Sequence, residues 1–218
     1  QSGGNYNTVV GDESGTNITT GDSNVAVGFE SAKSLNTGSN TVAIGYQAGE
    51  QIAGGNNNIA IGKEALSTEV SGSLNVAIGS NALKVQNVGS DAYNVAIGYN
   101  VGLSVTSGVS NTFIGGLAGD ALDTGGFNVA VGRSTLTTDV KGSKSTAIGF
   151  GTLRAQTFSG ATDTMNTAVG FEAGNDITSG VNNTLIGGLA GDAIGDADNN
   201  TAVGFEALST NVNGSASV

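Results

Sequence analysis

Five glutamates stand two residues after a glycine that closes a short apolar run: Glu13, Glu30, Glu64, Glu172 and Glu206. Carboxylates repeated in one column could pair for hydrolysis, one acid giving a proton while its neighbour attacks or activates water. Gln47, Asn81, Asn100, Leu117, Ser134, Gly151 and Leu189 interrupt that column, and so broken a series reads as a solvated face. A second acidic group, Asp192, Asp196 and Asp198, shares a short stretch with Asn199 and Asn200. Oxygen-rich spacing of this sort can hold Ca²⁺. It lacks the glycine and the distal glutamate of an EF-hand, and no Gly-Gly-x-Gly-x-Asp repeat accompanies it. Calcium is therefore the one candidate cofactor, with a plain acidic turn as the simpler reading. His and Cys are absent, which removes the commonest general base and the thiolate ligands. The expectation is a protein that is not an enzyme.

Aromatic residues directly follow the same glycines at Phe29, Tyr46, Tyr99, Phe150, Phe171 and Phe205. Rings in a row can stack on sugars, or simply pack at corners or between chains. Threonines three places before the glycine (Thr8, Thr112, Thr146, Thr167, Thr184 and Thr201) alternate irregularly with Val and Ile. They leave an ice-binding face as a remote alternative, without a Thr-x-Thr ladder to support it.

All these residues are placed by one repeat. Twelve short apolar runs end in Gly11, Gly28, Gly45, Gly62, Gly79, Gly98, Gly115, Gly132, Gly149, Gly170, Gly187 and Gly204. Nine of the eleven gaps are 17 residues, the others 19 and 21, and a fixed short period means stacked units. Ile or Val precedes every glycine. Ala stands two places before it in nine units, with Val9, Phe113 and Leu185 the exceptions. Four places before stands Asn7, Asn24, Asn58, Asn75, Asn94, Asn111, Asn128, Asn166, Asn183 or Asn200, replaced by Thr41 and Ser145 in two units. Strand alternation puts the β-branched pair on one face and Asn with Ala on the other. The Asn column is expected to form an amide ladder, and the Ala column a flat face that lets another chain approach closely. Where that face swells, at Phe113 and Leu185, Gly116 and Gly188 are expected to compensate the volume.

After the glycine, units come in two versions. Seven carry Gly or Ala four places on and an aliphatic residue seven places on (Gly15/Ile18, Ala32/Leu35, Gly49/Ile52, Gly102/Val105, Gly119/Leu122, Gly174/Ile177, Gly191/Ile194). Five carry Leu there with a later apolar residue (Leu66/Val70, Leu83/Val88, Leu136/Val140, Leu153/Phe158, Leu208/Val212). Glycine turns freely with positive φ and leucine does not, so two corner geometries are predicted. From Gly28 the versions alternate in pairs, a superperiod of four coils, and both longer units fall at the same phase. Their extra residues predict surface turns at 84–93 and 154–165 that could face a partner.

The predicted fold is all-β: a parallel β-solenoid of about twelve 17-residue coils spanning 1–218 as one repeat array. At strand spacing of ~4.8 Å, twelve coils extend roughly 58 Å, and ~3.3 Å per residue gives each coil two short strands and two turns. So thin a coil has little core per residue, and a homotrimer is expected, each chain forming one side of a prism. The net charge of −11 with seven scattered Lys and Arg disfavours nucleic acid. No stretch is apolar enough to insert in a membrane, and no signal-peptide pattern is seen. A first residue Gln1 and a repeat that runs out at Val218 suggest a piece of a longer fibre chain.

The Asn-Val-Ala-Ile-Gly and Asn-Thr-Ala-Val-Gly units at 24–28, 58–62, 75–79, 94–98, 128–132, 166–170 and 200–204 resemble trimeric left-handed parallel β-roll repeats. Two families carry such repeats: YadA-like trimeric autotransporter adhesin heads and bacteriophage tail-fibre proteins. The 17-residue period and the run Gly-Phe-Glu-Ala-Leu (204–208) are more similar to the phage repeats. The resemblance implies an extracellular structural fibre on a virion or cell surface that supports host attachment. The alternative it implies is an adhesin head that binds host-surface glycans or matrix receptors.

Overall fold

Each coil holds only three residues extended, because left-handed backbone brackets them on both sides. In one coil Asn57, at φ 56°, precedes the strand Ile59–Ile61 and Gly62, at φ 128°, follows it. The computed structural model of the chain describes residues 3–210 and 214–217. Val212, the expected partner of Leu208, and the termini Gln1 and Val218 lie outside the described residues.

The chain falls into two compact units, Gln1–Ser110 and Asn111–Val218. The first holds β1 (Thr8–Val10), β2 (Val25–Val27), β3 (Val42–Ile44), β4 (Ile59–Ile61), β5 (Val76–Ile78) and β6 (Val95–Ile97). Consecutive strands pair in parallel without stagger, Val42 on Ile59, Ala43 on Ala60 and Ile44 on Ile61, so like stacks on like. The second unit holds β7 (Thr112–Ile114), β8 (Val129–Val131), β9 (Gly142–Ser143), β10 (Thr146–Ile148), β11 (Thr162–Asp163), β12 (Thr167–Val169), β13 (Thr184–Ile186) and β14 (Thr201–Val203). Here β7, β8, β10, β12, β13 and β14 form the parallel stack, and β9 pairs with β11. With six coils in each unit, the protein is an all-β parallel solenoid of twelve coils about 17 residues apart. No helix occurs among the described residues.

The second strand expected in each coil is largely absent: among the described residues only β9 and β11 are additional strands. Left-handed residues two and four places after the glycine, such as Glu64 (φ 54°) and Leu66 (φ 51°), cut the chain into turns. Hydrogen bonding between coils nevertheless continues around those turns. Ala32 donates to the Ala48 carbonyl and Gly49 to that of Ala65, each at 2.9 Å.

The strand alternation is as expected, but the Ala face is the inner one. Ala26, Ala43, Ala60, Ala77 and Ala96 of the first unit are wholly buried, as are Ala130, Ala147 and Ala168 of the second. A 17-residue coil is too narrow for β-branched side chains from both walls. Small Ala lines one wall, and Leu35 and Ile52 or Leu66 and Leu83 fill the lumen from the other. Burying each such aliphatic side chain stabilises by about 1.5–3 kcal/mol.

The two predicted corner geometries are in fact one. Gly49 has φ 57° and Ala32 φ 48°, while Leu66, Leu83, Leu136 and Leu153 lie between 48° and 51°. The versions differ in what fills the lumen. A Cβ built on Gly49 would stand 2.9 Å from Ile52 Cδ1, so the aliphatic residue seven places after the glycine occupies the volume that leucine takes at position four. Val70, expected as the apolar partner of Leu66, is exposed. The compensation for Phe113 and Leu185 likewise lies at Gly119 and Gly191, where an added Cβ would meet the Phe113 ring or Leu185 Cδ1 at 2.9 Å. Gly188 faces Phe205 at an ordinary 3.5 Å instead.

Most of the glycines that close strands leave no room for a side chain. At Gly62 an added Cβ would stand 2.5 Å from the Gly79 carbonyl oxygen of the following coil. A second glycine column, ten places further on, escaped the sequence reading. A Cβ on Gly55 would run into the Gly72 carbonyl.

Candidate functional site

The asparagines form a ladder, though its rungs are chiefly side chain to backbone. Asn58 Nδ2 donates to the Gly72 carbonyl at 2.8 Å, and Asn58 Oδ1 accepts from the Asn75 N–H at 3.0 Å. Asn58 thus clamps the corner of the following coil at two points. The same pair of bonds recurs at Asn7, Asn24, Asn128, Asn166 and Asn183. Direct amide–amide bonds occur as well, from Asn75 to Asn58 at 3.2 Å and from Asn200 to Asn183 at 3.1 Å. The buried carbonyl needs a donor and the inward N–H needs an acceptor, and a short primary amide supplies both.

In the four leucine-type coils where the position seven places after the glycine is described, it holds Glu69, Gln86, Asp139 or Gln156, all wholly buried. Gln86 Nε2 donates to Glu69 Oε2 at 3.1 Å, and Gln156 Nε2 to Asp139 Oδ2 at 2.5 Å. Backbone N–H groups complete both cradles. Glu69 accepts from Val70, Ser71, Gly72 and Val88, and Asp139 from Gly142 and Phe158. Val88 and Phe158 belong to the two inserted turns, so 84–93 and 154–165 are each anchored on an internal carboxylate. Burial pushes the Asp139 carboxyl above the ordinary aspartate range, while the Gln156 amide and the N–H donors pull the other way.

Outside, each strand shows its β-branched pair. In the first unit these are Val25/Val27, Val42/Ile44, Ile59/Ile61, Val76/Ile78 and Val95/Ile97, half-buried at best, with Ile44 and Ile97 both 37% exposed. No charged side chain lies within these two columns. In the second unit the first column becomes mostly threonine (Thr112, Thr146, Thr167, Thr184, Thr201) beside Ile114, Val131, Ile148, Val169, Ile186 and Val203. The aromatic column borders this face: Phe29 stacks on Tyr46 with centroids 5.4 Å apart and Phe150 on Phe171 at 5.5 Å, with Arg133 6.0 Å above Phe150. All six rings are exposed.

The glutamate column is an ion-pair rail in the first unit. Lys33 bridges Glu13 and Glu30 at 2.5 and 2.6 Å, and Lys84 holds Glu64 at 2.7 Å. Gln47, which interrupts the column, donates to Glu30 at 2.7 Å. The Lys33 contact, then that of Gln47, holds Glu30 below its ordinary range.

Asp192, Asp196 and Asp198 do not converge. Asp198 Oδ1 accepts from the Val181 N–H at 2.7 Å, the strut that Asp22 provides for Asn5 at 2.6 Å. Asp196 is exposed, and Asp192 is half-buried with Oδ1 unpartnered. Burial, with Asp176 adding a like charge, raises Asp192. Among the described residues no three acidic side chains gather to hold a metal ion, and no pocket is present. No helix among the described residues is long and apolar enough to cross a membrane.

Comparison with known proteins yields no match: no family model fits the chain, and no curated protein or solved structure is significantly similar.

Proposed function

We propose that this chain is a structural, non-enzymatic fibre protein, the shaft or head of a homotrimeric surface fibre. A bacteriophage tail fibre that holds a host-attachment tip away from the particle is the favoured setting, and the fibre acts outside the cell. The observation that carries this reading is the uncharged double column of Val and Ile on the outside of every interior strand of the first unit. A contiguous apolar face rimmed by polar residues marks an interaction surface. Copies of the same chain suit it best, because their axial repeat is identical and contact made at one coil recurs at the next. The number three rests on the resemblance of the repeats to trimeric rolls.

The exposed aromatic column supports a second reading, an adhesin head whose side grips host glycans or matrix proteins. Negative-stain micrographs and glycan-array binding of the isolated chain test both. A shaft gives unbranched rods of constant width and an inert array. Glycan binding lost in a Phe150→Ala/Phe171→Ala variant would replace the shaft by the adhesin, and globular particles would overturn both.

A further inference from the structure

Three large apolar side chains stand where the backbone resists them and their own chain does not cover them. The residue two places before each strand of the main stack is left-handed, a conformation that suits the Asn40, Asn57, Asn182 and Asn199 found there in other coils. Tyr93, Phe127 and Met165 adopt it at φ 54°, 61° and 50° and remain 56%, 58% and 50% exposed. Leu66 bears the same strain but is packed in the lumen.

Two places after each strand lies the opposite border of the outer face. There the same three coils carry Tyr99, Arg133 and Phe171, all exposed. The coil closed by Gly149 adds Lys144, at φ 65°, with Phe150 on its far border. The remaining coils carry a large group on one border at most, and where the far border is bare, at Gly188, the near one holds only Asn182. Within one chain the two borders of a coil do not meet, because the strand lies between them and six residues of extended chain span about 20 Å.

We propose that these borders interlock between copies of the chain: around a threefold axis parallel to the coil stack of each unit, the near border of one copy packs on the far border of the next. Phe127 then meets Arg133 of a second copy, Met165 meets Phe171, and Tyr93 meets Tyr99. This interlock rests on the trimer reading and names the residues that meet in it. Rotation without translation keeps equal coils level, so partners must come from the same coil, which is where the large residues are matched. Each match is a favourable one: guanidinium on ring, thioether on ring and ring on ring. Arg133 turns one face to Phe150, 6.0 Å from its centroid, and the other to the neighbour's ring. Lys144, steadied by Asp163 at 2.6 Å, lies beside the neighbour's Phe150. Burial across the interface offsets the left-handed strain here, as lumen packing does at Leu66.

The chain has no cysteine, so introduced thiols can pair only with each other. Under mild oxidation at micromolar concentration, full-length Phe127→Cys/Arg133→Cys should give a covalent ladder that ends at three times 21.3 kDa on non-reducing electrophoresis. Each single variant should stay one chain. Phe127→Cys/Phe171→Cys, two coils out of level and about 10 Å apart along the stack, is beyond disulfide reach and should not link. Met165→Cys/Phe171→Cys should repeat the first result. The unsubstituted chain needs no variant at all: photo-oxidation should join Tyr93 of one chain to Tyr99 of another as dityrosine, mapped by mass spectrometry. Sedimentation equilibrium of the same sample separates the two ideas. A trimer in which neither the level cysteine pairs nor the tyrosines link overturns the interlock and leaves the trimer standing. Single-cysteine variants that link into dimers also overturn it, because like borders would then meet. A monomer overturns both.

Discussion

Gln156 and Asp139 meet inside the solenoid, amide to carboxylate at 2.5 Å, and neither has any solvent-exposed surface. Gln86 and Glu69 make the same contact seventy residues earlier in the sequence. In the second unit the amide chain is directional, running Asn200 to Asn183 to Asn166 to Gln156 and ending on the carboxylate. Each amide gives its N–H towards the acid and receives at its oxygen from the other side, the arrangement in which hydrogen bonds reinforce one another.

Breaking such a chain should be costly. Gln86→Leu removes one of the two acceptors of Asn94 Nδ2, leaving it the Gly108 carbonyl at 2.7 Å, and takes the Gln86 amide donor from Glu69. Urea unfolding is expected to show a loss of about 1–3 kcal/mol for each buried group so deprived. A variant as stable as the parent contradicts the role given to the pair.

The lumen exchange between positions four and seven makes a sharper prediction. Gly49→Leu should destabilise by about 1–3 kcal/mol through overpacking against Ile52. Adding Ile52→Ala should recover most of that loss, because the new leucine then occupies the vacated volume as Leu66 does in the next coil. Additive losses in thermal melts would show that the two positions do not share space.

Glycine columns separate stacking from backbone strain. Gly62→Ala meets both a φ of 128° and the next coil's carbonyl, whereas a Cβ on Gly204, at φ 130°, meets nothing within 4 Å. Both variants carry the conformational cost, about 1–3 kcal/mol. Gly62→Ala should be the worse by a margin readable in denaturant midpoints.

How much of this was legible is clearest at particular residues. The Asn58–Ile59–Ala60–Ile61–Gly62 run announced strand, turn and period, because a solenoid must repeat its contacts at every coil. Which face was inner was not legible, since alternation separates Ala60 from Ile59 and Ile61 without saying which side encloses the lumen. Leu66 looked incompatible with a glycine's turn because local φ preference was weighed alone. The packed lumen outweighs about 1–2 kcal/mol of left-handed strain. Glu69 and Asp139 form no motif in the sequence, because their partners Gln86 and Gln156 lie a coil away. Their shared position seven places after the strand glycine, where other coils bury Ile, Leu or Val, was the signal that could have found them.

On the ion-pair rail, Lys33→Met should let Glu30 rise towards the ordinary value of 4.5 from which Lys33 and Gln47 now depress it. Glu30's contribution to stability is present above the ordinary glutamate range and is lost as pH falls through its depressed value. The variant should therefore lose the part of the parent's acid sensitivity that lies below pH 4.5. Carboxyl titration by NMR reads both effects, and an unmoved Glu30 excludes the clamp.

The central claim is that the outer Val and Ile columns are covered by two further copies of the chain. Sedimentation equilibrium at micromolar concentration tests it most directly. The account predicts three times the 21.3 kDa chain mass, falling to a single folded chain in an Ile44→Asp/Ile61→Asp variant. A stable, folded monomer of the unsubstituted chain would contradict it.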